Sequence, residues 1–137
     1  MITIYCDGSC LGNPGKGGWG VIVMVNGETF ELYGGEVQST NNRMELTAAI
    51  EALKFVEGSN QPVHVYTDSQ YVIKGITEWI KGWKKKNYSG VKNPDLWKEL
   101  DVTVNNRNIK WHWVKGHSGN EYNEKVDILA KKGANEC

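Results

Sequence analysis

Residues 40–68 read TNNRMELTAAIEALKFVEGSNQPVHVYTD, and the architecture turns on them. Thr40 stands where a side-chain oxygen can accept an N–H that a helix's first turn leaves unpaired, so the sequence predicts a helix from about Asn41 to Val56. Leu46, Ala49, Ile50, Leu53 and Val56 recur at helical spacing and form one apolar face. Gly58 stops the helix. After Pro62, Val63 to Thr67 is a short β-branched strand ending at Asp68, and a second helix starts at Ser69. A helix between neighbouring strands requires a right-handed crossover and so a parallel pair.

Upstream, Met1 to Asp7 alternates Ile2, Ile4 and Cys6 with Thr3, Tyr5 and Asp7, the period of a strand with two distinct faces. Gly12 to Gly18 is turn chemistry. Trp19 to Val25 and Glu28 to Tyr33 follow as strands joined by the tight Asn26-Gly27 hairpin signal, giving three antiparallel strands. Downstream, Pro94 suits the first position of another helix. Ile109 to Val114 is the last strand, and a helix runs from about Glu121 to Lys132. The order βββαβα(α)βα predicts an α/β fold: a mixed five-stranded sheet, three antiparallel strands then two parallel, with helices on both faces.

At 137 residues the chain has the length of a single domain, 1–137, that buries roughly 68% of its unfolded surface without staples. No repeat or linker divides it. The three cysteines, Cys6, Cys10 and Cys137, have no metal-ligand spacing and read as reduced thiols. No segment reads as a membrane span or a leader, so a cytoplasmic monomer with no membrane partner is expected. Net charge is zero, which argues against recognition of nucleic acid by bulk charge. The distribution is uneven, however. Residues 74–98 hold Lys74, Lys81, Lys84, Lys85, Lys86, Lys92 and Lys98 against Glu78 and Asp95, a net of +5 that leaves −5 elsewhere.

Four acids stand out. Asp7 and Asp68 end strands, where open α/β sheets place their ligands. Glu45 lies early in the first long helix, and Asp127 lies within the last, between Val126 and Ile128. Each alone reads as a solvated surface acid. Brought together they would repel, and a hard divalent cation relieves that repulsion. An all-oxygen set suits Mg²⁺, Mn²⁺ or Ca²⁺ rather than zinc. Carboxylates beside a basic, aromatic-bearing segment point to metal-assisted cleavage of a phosphodiester.

Four stretches then make a resemblance specific: Tyr5-Cys6-Asp7-Gly8-Ser9-Cys10-Leu11-Gly12-Asn13-Pro14-Gly15; Thr40-Asn41-Asn42-Arg43-Met44-Glu45-Leu46; Tyr66-Thr67-Asp68-Ser69-Gln70-Tyr71-Val72; and Trp113-Val114-Lys115-Gly116-His117-Ser118-Gly119 followed by Asn123-Glu124-Lys125-Val126-Asp127. In this order, over essentially the whole chain, they resemble type I ribonuclease H of the bacterial kind. The resemblance implies a ribonuclease H-like fold. It also implies hydrolysis of the RNA strand of an RNA/DNA hybrid with two Mg²⁺ ions, Mn²⁺ being a possible substitute, to give 5′-phosphate and 3′-hydroxyl ends.

By the same resemblance, Asp7 bridges two metals, Glu45 and Asp68 complete the leaving-group side, and Asp127 serves the attacking side. His117 matches a loop histidine that assists proton transfer or product release. His64 and His112 match no catalytic position and read as structural. Asn13, Asn41, Asn42 and Gln70 match positions that read 2′-hydroxyls and minor-groove edges. Thr40 and Asn93 match a pocket for a DNA-strand phosphate. Gln38 stands where relatives place an arginine, which weakens that pocket because an amide carries no charge.

The segment at about 79–97 resembles a basic protrusion, with a shorter spacer between Trp83 and Trp97 than in bacterial relatives. Lys84, Lys85 and Lys86 would track phosphates there, and Trp79 would meet the DNA strand, while Trp83 and Trp97 pack inside. Two competing functions use the same fold: a non-catalytic nucleic-acid-binding module, which the presence of all four acids disfavours, and a DNA-directed nuclease or integrase, which Asn41, Asn42 and Gln70 disfavour.

Overall fold

In a computed structural model the described residues are 1–116 and 119–137. Five strands, β1 (Ile2–Leu11), β2 (Gly15–Val25), β3 (Glu28–Ser39), β4 (Val63–Thr67) and β5 (Ile109–Trp113), form one sheet in the order β3-β2-β1-β4-β5. β1, β2 and β3 pair antiparallel, whereas β4 pairs parallel to both β1 and β5. The helices are α1 (Asn41–Phe55), α2 (Gln70–Lys74), α3 (Ile80–Lys85), α4 (Pro94–Val104) and α5 (Glu121–Asn135). A π-helical segment, Gly75–Trp79, joins α2 to α3.

Consecutive residues of β2 show how the two faces are covered. The Cα of Gly17 lies against Met44 of α1, and that of Gly18 lies against the backbone of α5 at Ala130, Gly133 and Ala134. Since neighbouring strand residues point to opposite faces, α1 and α5 cover opposite sides of the sheet. A side chain at either glycine would hold its helix off. The main core lies on the α1 side, where Ile2, Ile4, Val21, Val23, Val63 and Val65 meet Leu46, Ile50 and Leu53, with Trp97 and Leu100 of α4 behind them.

Several boundaries correct the sequence reading. β1 does not end at Asp7 but continues to Leu11, because β2 begins at Gly15 and pairs with it as far as Leu11↔Lys16. Of the glycines read as a turn, Gly12 stays in it at φ 80°, whereas Gly15, Gly17 and Gly18 are strand residues, the last two placed where α1 and α5 approach closely. β3 runs past Tyr33 to Ser39, carrying Gln38 into the strand. α5 continues three residues beyond Lys132, Gly133 being a packing residue rather than a stop. α1 ends at Phe55 and β5 at Trp113, each one residue short of expectation. Among the described residues, no helix is long and apolar enough to cross a membrane.

Candidate functional site

Register brings the first two acids together. The last β1–β4 pair is Tyr5↔Tyr66, and Asp7 and Asp68 each follow two residues later. In a parallel pair, equal offsets from one rung lie side by side. Beyond that rung β4 turns away into α2, with Thr67 Oγ1 accepting from Ser69 N–H (3.1 Å) and Ser69 Oγ accepting from Val72 N–H (3.1 Å). β1 continues with β2 alone, which opens a cavity of about 530 Å³ at the point of divergence. Asp7 is therefore a mid-strand residue that sits where parallel pairing stops.

Glu45 arrives from α1. A Cβ on Gly8 would collide with the backbone at Met44 and Glu45, so the glycine lets α1 close on β1. Gly8 N–H then donates to Glu45 Oε1 at 2.5 Å. Asp7, Glu45 and Asp68 each offer an oxygen, and these oxygens lie within 4.8 Å of one another. Asp127 of α5 lines the same cavity outside that tight group, its Oδ2 2.9 Å from Lys131 Nζ one turn on.

The electrostatics follow from this convergence. Asp7 is only 5% exposed. Its pKa is pushed up to about 8, chiefly by burial, then by Asp68 and Asp127, against a lowering hydrogen bond with Glu45. Burial, then the charges of Asp7 and Asp68, push Glu45 well above the usual carboxylate range, and Gly8 N–H opposes the shift. Cys6, buried behind them, is also pushed up by burial and then by Glu45, so its thiol stays protonated. Acids converging in this way carry mutual repulsion that a hard divalent ion neutralises. The donor set fits such an ion: among the described residues it is three carboxylates, with no sulfur or imidazole in the group.

Around the acids, Asn41, Asn42 and Gln70 line the cavity wall. Asn13 Oδ1 accepts from Asn41 N–H (3.1 Å), tying the β1–β2 turn to the start of α1. Thr40 caps α1 by accepting from Arg43 N–H (3.2 Å), and Gln38 is exposed on β3. Asn93, in the left-handed region (φ 57°), heads α4; its Oδ1 accepts from Arg43 Nη1 and its Nδ2 donates to Tyr71 Oη, both at 3.2 Å. Trp79 is 43% exposed, whereas Trp97 is fully buried with its ring 5.0 Å from Trp83 and 5.2 Å from Tyr71. Lys85 and Lys86 are exposed, but Lys84 is paired with Asp101 at 3.1 Å. His117 lies outside the described residues.

Four contributors escaped the sequence reading. Arg43 grips Asp95 through two hydrogen bonds (3.2 and 2.9 Å) as well as Asn93, which locks α1 to α4. Tyr71 Oη accepts from both Asn93 and Trp97 Nε1 (3.1 Å). Trp113 Nε1 donates to the backbone oxygen of Asp68 (3.2 Å), fixing the peptide that carries that acid. Lys131 was within reach of sequence logic, since residues four apart on a helix are neighbours.

Comparison with known proteins agrees with this geometry. The family model described as RNase H matches residues 1–135. Ribonuclease H of Cupriavidus necator is 51% identical over 139 residues, covering 96% of this chain and 94% of its own length. Ribonuclease HI of Caulobacter vibrioides is 52% identical, with 96% and 91% covered. The crystal structure of LC9-RNase H1, a type 1 RNase H, superposes with a TM-score of 0.89 at 35% identity, over 98% of this chain and 72% of that one. LC11-RNase H1, solved in complex with an RNA/DNA hybrid, gives 0.74 at 25% identity over 99% and 98%. With half its residues shared over nearly full length, this chain belongs to the RNase H family.

Proposed function

We infer that this chain is an endonuclease that hydrolyses the RNA strand of an RNA/DNA hybrid, leaving 5′-phosphate and 3′-hydroxyl ends. The convergence of Asp7, Glu45 and Asp68 beside Asp127, in a chain of the RNase H family, carries the reading. These four acids are the residues that would hold two divalent cations, Mg²⁺ or in its place Mn²⁺. When bound, such ions supply charge neutralisation of the phosphate and stabilisation of the attacking and leaving oxygens.

The chain's other residues bind and orient. Asn41, Asn42 and Gln70 on the cavity wall, with Asn13 bound to the Asn41 N–H beside them, offer amides to 2′-hydroxyls and base edges of the RNA strand. Thr40 and Asn93, fixed by Arg43, face the DNA strand's backbone, with Gln38 an uncharged neighbour. Trp79 packs on a sugar, and Lys84, Lys85 and Lys86 track phosphates. His117 assists proton transfer or product release, and as general acid–base help it would be worth ~10²- to 10⁴-fold. Residues 1–137 act as one domain with the basic protrusion at about 79–97, as a monomer in the cytoplasm.

Incubation with hybrid, duplex DNA and duplex RNA, each with Mg²⁺ or with chelator, tests the reading. Only the hybrid with Mg²⁺ should be cut. Comparable cutting of duplex DNA, or cutting under chelation, would overturn it.

A further inference from the structure

Of the four acids, Asp68 is the one that regular structure supports least. Asp7 lies in β1, Glu45 in α1 and Asp127 in α5, whereas Asp68 falls between β4 and α2, in neither strand nor helix. The last β1–β4 rung is Tyr5↔Tyr66 and the last β4–β5 rung is Thr67↔Trp113, so both ladders stop just before it. Its support comes from the end of β5. Val114 N–H donates to Thr67 O (3.0 Å), and Trp113 Nε1 donates to the carbonyl oxygen of Asp68 itself (3.2 Å). Further along the same segment, Gly116 faces the side chain: a Cβ there would stand 2.9 Å from Asp68 Oδ2. One residue thus holds the peptide, and another bounds the carboxylate.

We propose that Trp113 and Gly116 are positioning residues that set the divalent-cation affinity of the acid group by fixing where the Asp68 carboxylate points. The inference rests on the reading of these acids as cation ligands. An indole has one N–H and no acceptor, so a single partner decides how that polar edge is used. Half of Trp113 is exposed, its ring lining a cavity of about 260 Å³ with Ile73 and Lys74 of α2, while its N–H turns inward to Asp68. Without that bond the Asp68 peptide can rotate and carry the carboxylate with it.

Gly116 acts from the other side. A methyl group does not fit between its Cα and Oδ2, so a side chain there would swing the carboxylate aside. The fold yields easily to that movement, because only the end of one side chain gives way. A cation does not, since it needs the oxygens of Asp7, Glu45 and Asp68 as close together as they now lie, within 4.8 Å. Groups that orient metal ligands typically change metal affinity by about 10- to 100-fold when removed.

The test measures Mn²⁺ binding to the whole chain without nucleic acid, counting free ion by electron paramagnetic resonance at neutral pH. Trp113→Phe keeps a ring and removes the N–H; it should weaken the tightest Mn²⁺ by about tenfold. Gly116→Ala should weaken it by a smaller factor, with the metal-free melting temperature close to that of the parent. At saturating Mg²⁺ both variants should recover most of the parent's turnover on hybrid and keep its KM, because every ligand is still present. Metal would not rescue a residue needed only for folding, and a residue that touches substrate would raise KM instead. A folded variant of either residue with the parent's Mn²⁺ affinity overturns that residue's role, as does a raised KM with metal affinity unchanged. Gly116→Ala decides the matter if Trp113→Phe misfolds. A parent that retains no Mn²⁺, or retains it no better than Asp68→Asn, would show instead that the acids are not cation ligands, and the positioning roles would fall with that reading.

Discussion

In the acid cavity, three carboxylates converge where two are pushed toward protonation, Asp7 buried at its floor; in the 74–98 segment, lysines stand out in water around a packed tryptophan. The first arrangement opposes folding and becomes favourable only with a bound cation. The second costs little, because exposed charges stay hydrated and Trp97 supplies the packing. On the proposed reading the acids carry the chemistry while the cavity amides and the basic segment carry the affinity, so altering an acid should leave binding largely standing.

The largest expected effect follows from that separation. Asp7→Asn, Glu45→Gln and Asp68→Asn should each abolish Mg²⁺-dependent cleavage while hybrid binding, measured by filter retention or fluorescence anisotropy, survives. Turnover retained by any of the three would remove that residue from the metal-holding set, and loss of binding would dissolve the separation itself.

Within the basic segment the tryptophans divide again. Trp97, fully buried, should cost about 3 to 5 kcal/mol of stability when replaced by alanine, the range for emptying an aromatic core position. Trp79→Ala should leave the melting temperature nearly unchanged and instead weaken hybrid affinity, by about 1 kcal/mol or more if a ring contact is lost. Denaturant melts beside binding titrations separate the two. A Trp79→Ala chain that melts far below the parent and binds normally would reverse the assignment.

A pH experiment sharpens the acid side. Asp7 has a folded pKa of about 8 against an ordinary value of 3.8. A raised folded value means that the folded chain holds a proton the unfolded chain releases. Its stabilising contribution is therefore complete below about pH 4 and lost as pH rises through 8. Without metal, Asp7→Asn should raise stability at pH 8 by about 1 to 3 kcal/mol, short of the full shift because water reaches the open cavity. The gain should shrink toward pH 4, where the parent carboxyl is protonated, and in millimolar Mg²⁺, which stabilises the parent by mass action. Thermal melts with chelator at several pH values check it; a variant less stable than the parent at pH 8 would show that Asp7 is held by bonds that outweigh the repulsion.

How far these features are legible in the sequence depends on whether the cause is local. The Thr40 cap, the Asn26-Gly27 hairpin with both residues at positive φ, and the parallel crossover follow from neighbouring residues, and each stands in the fold. Asp7, Asp68 and Asp127 stood out because each ends or interrupts an apolar pattern in the sequence, and Glu45 joined them through the order of the four motifs. Arg43 with Asp95 and Asn93 was not legible, since 50 residues separate the partners and an arginine in a helix's first turn has no local signature. The strand status of Gly17 and Gly18 was hidden for the complementary reason: glycine reads as a turn unless one knows that α1 and α5 press on both faces. The π-helical segment at Gly75–Trp79 likewise has no pattern of its own.

The smallest effect concerns lysines that the sequence treats alike. Lys84 is bridged to Asp101 at 3.1 Å, whereas Lys85 and Lys86 are exposed on the last turn of α3 and just after it. A phosphate that recruits Lys84 must displace a carboxylate already in contact, so less counterion release and less new attraction result. Replacing Lys85 or Lys86 by alanine should lower the log–log salt slope of hybrid binding by up to about 0.7 to 0.9 for each phosphate contact removed. Lys84→Ala should lower it by less and should also free Asp101, an acid that then repels the hybrid. Its stability cost should stay within the ~0 to 1 kcal/mol of an exposed ion pair. Asp101→Asn supplies the converse: releasing Lys84 should tighten binding at low salt and steepen the slope toward that of an unpaired lysine. Equal slopes for all three alanine variants would mean that the Lys84–Asp101 pair opens freely when hybrid arrives, and the distinction between engaged and available cations would fall.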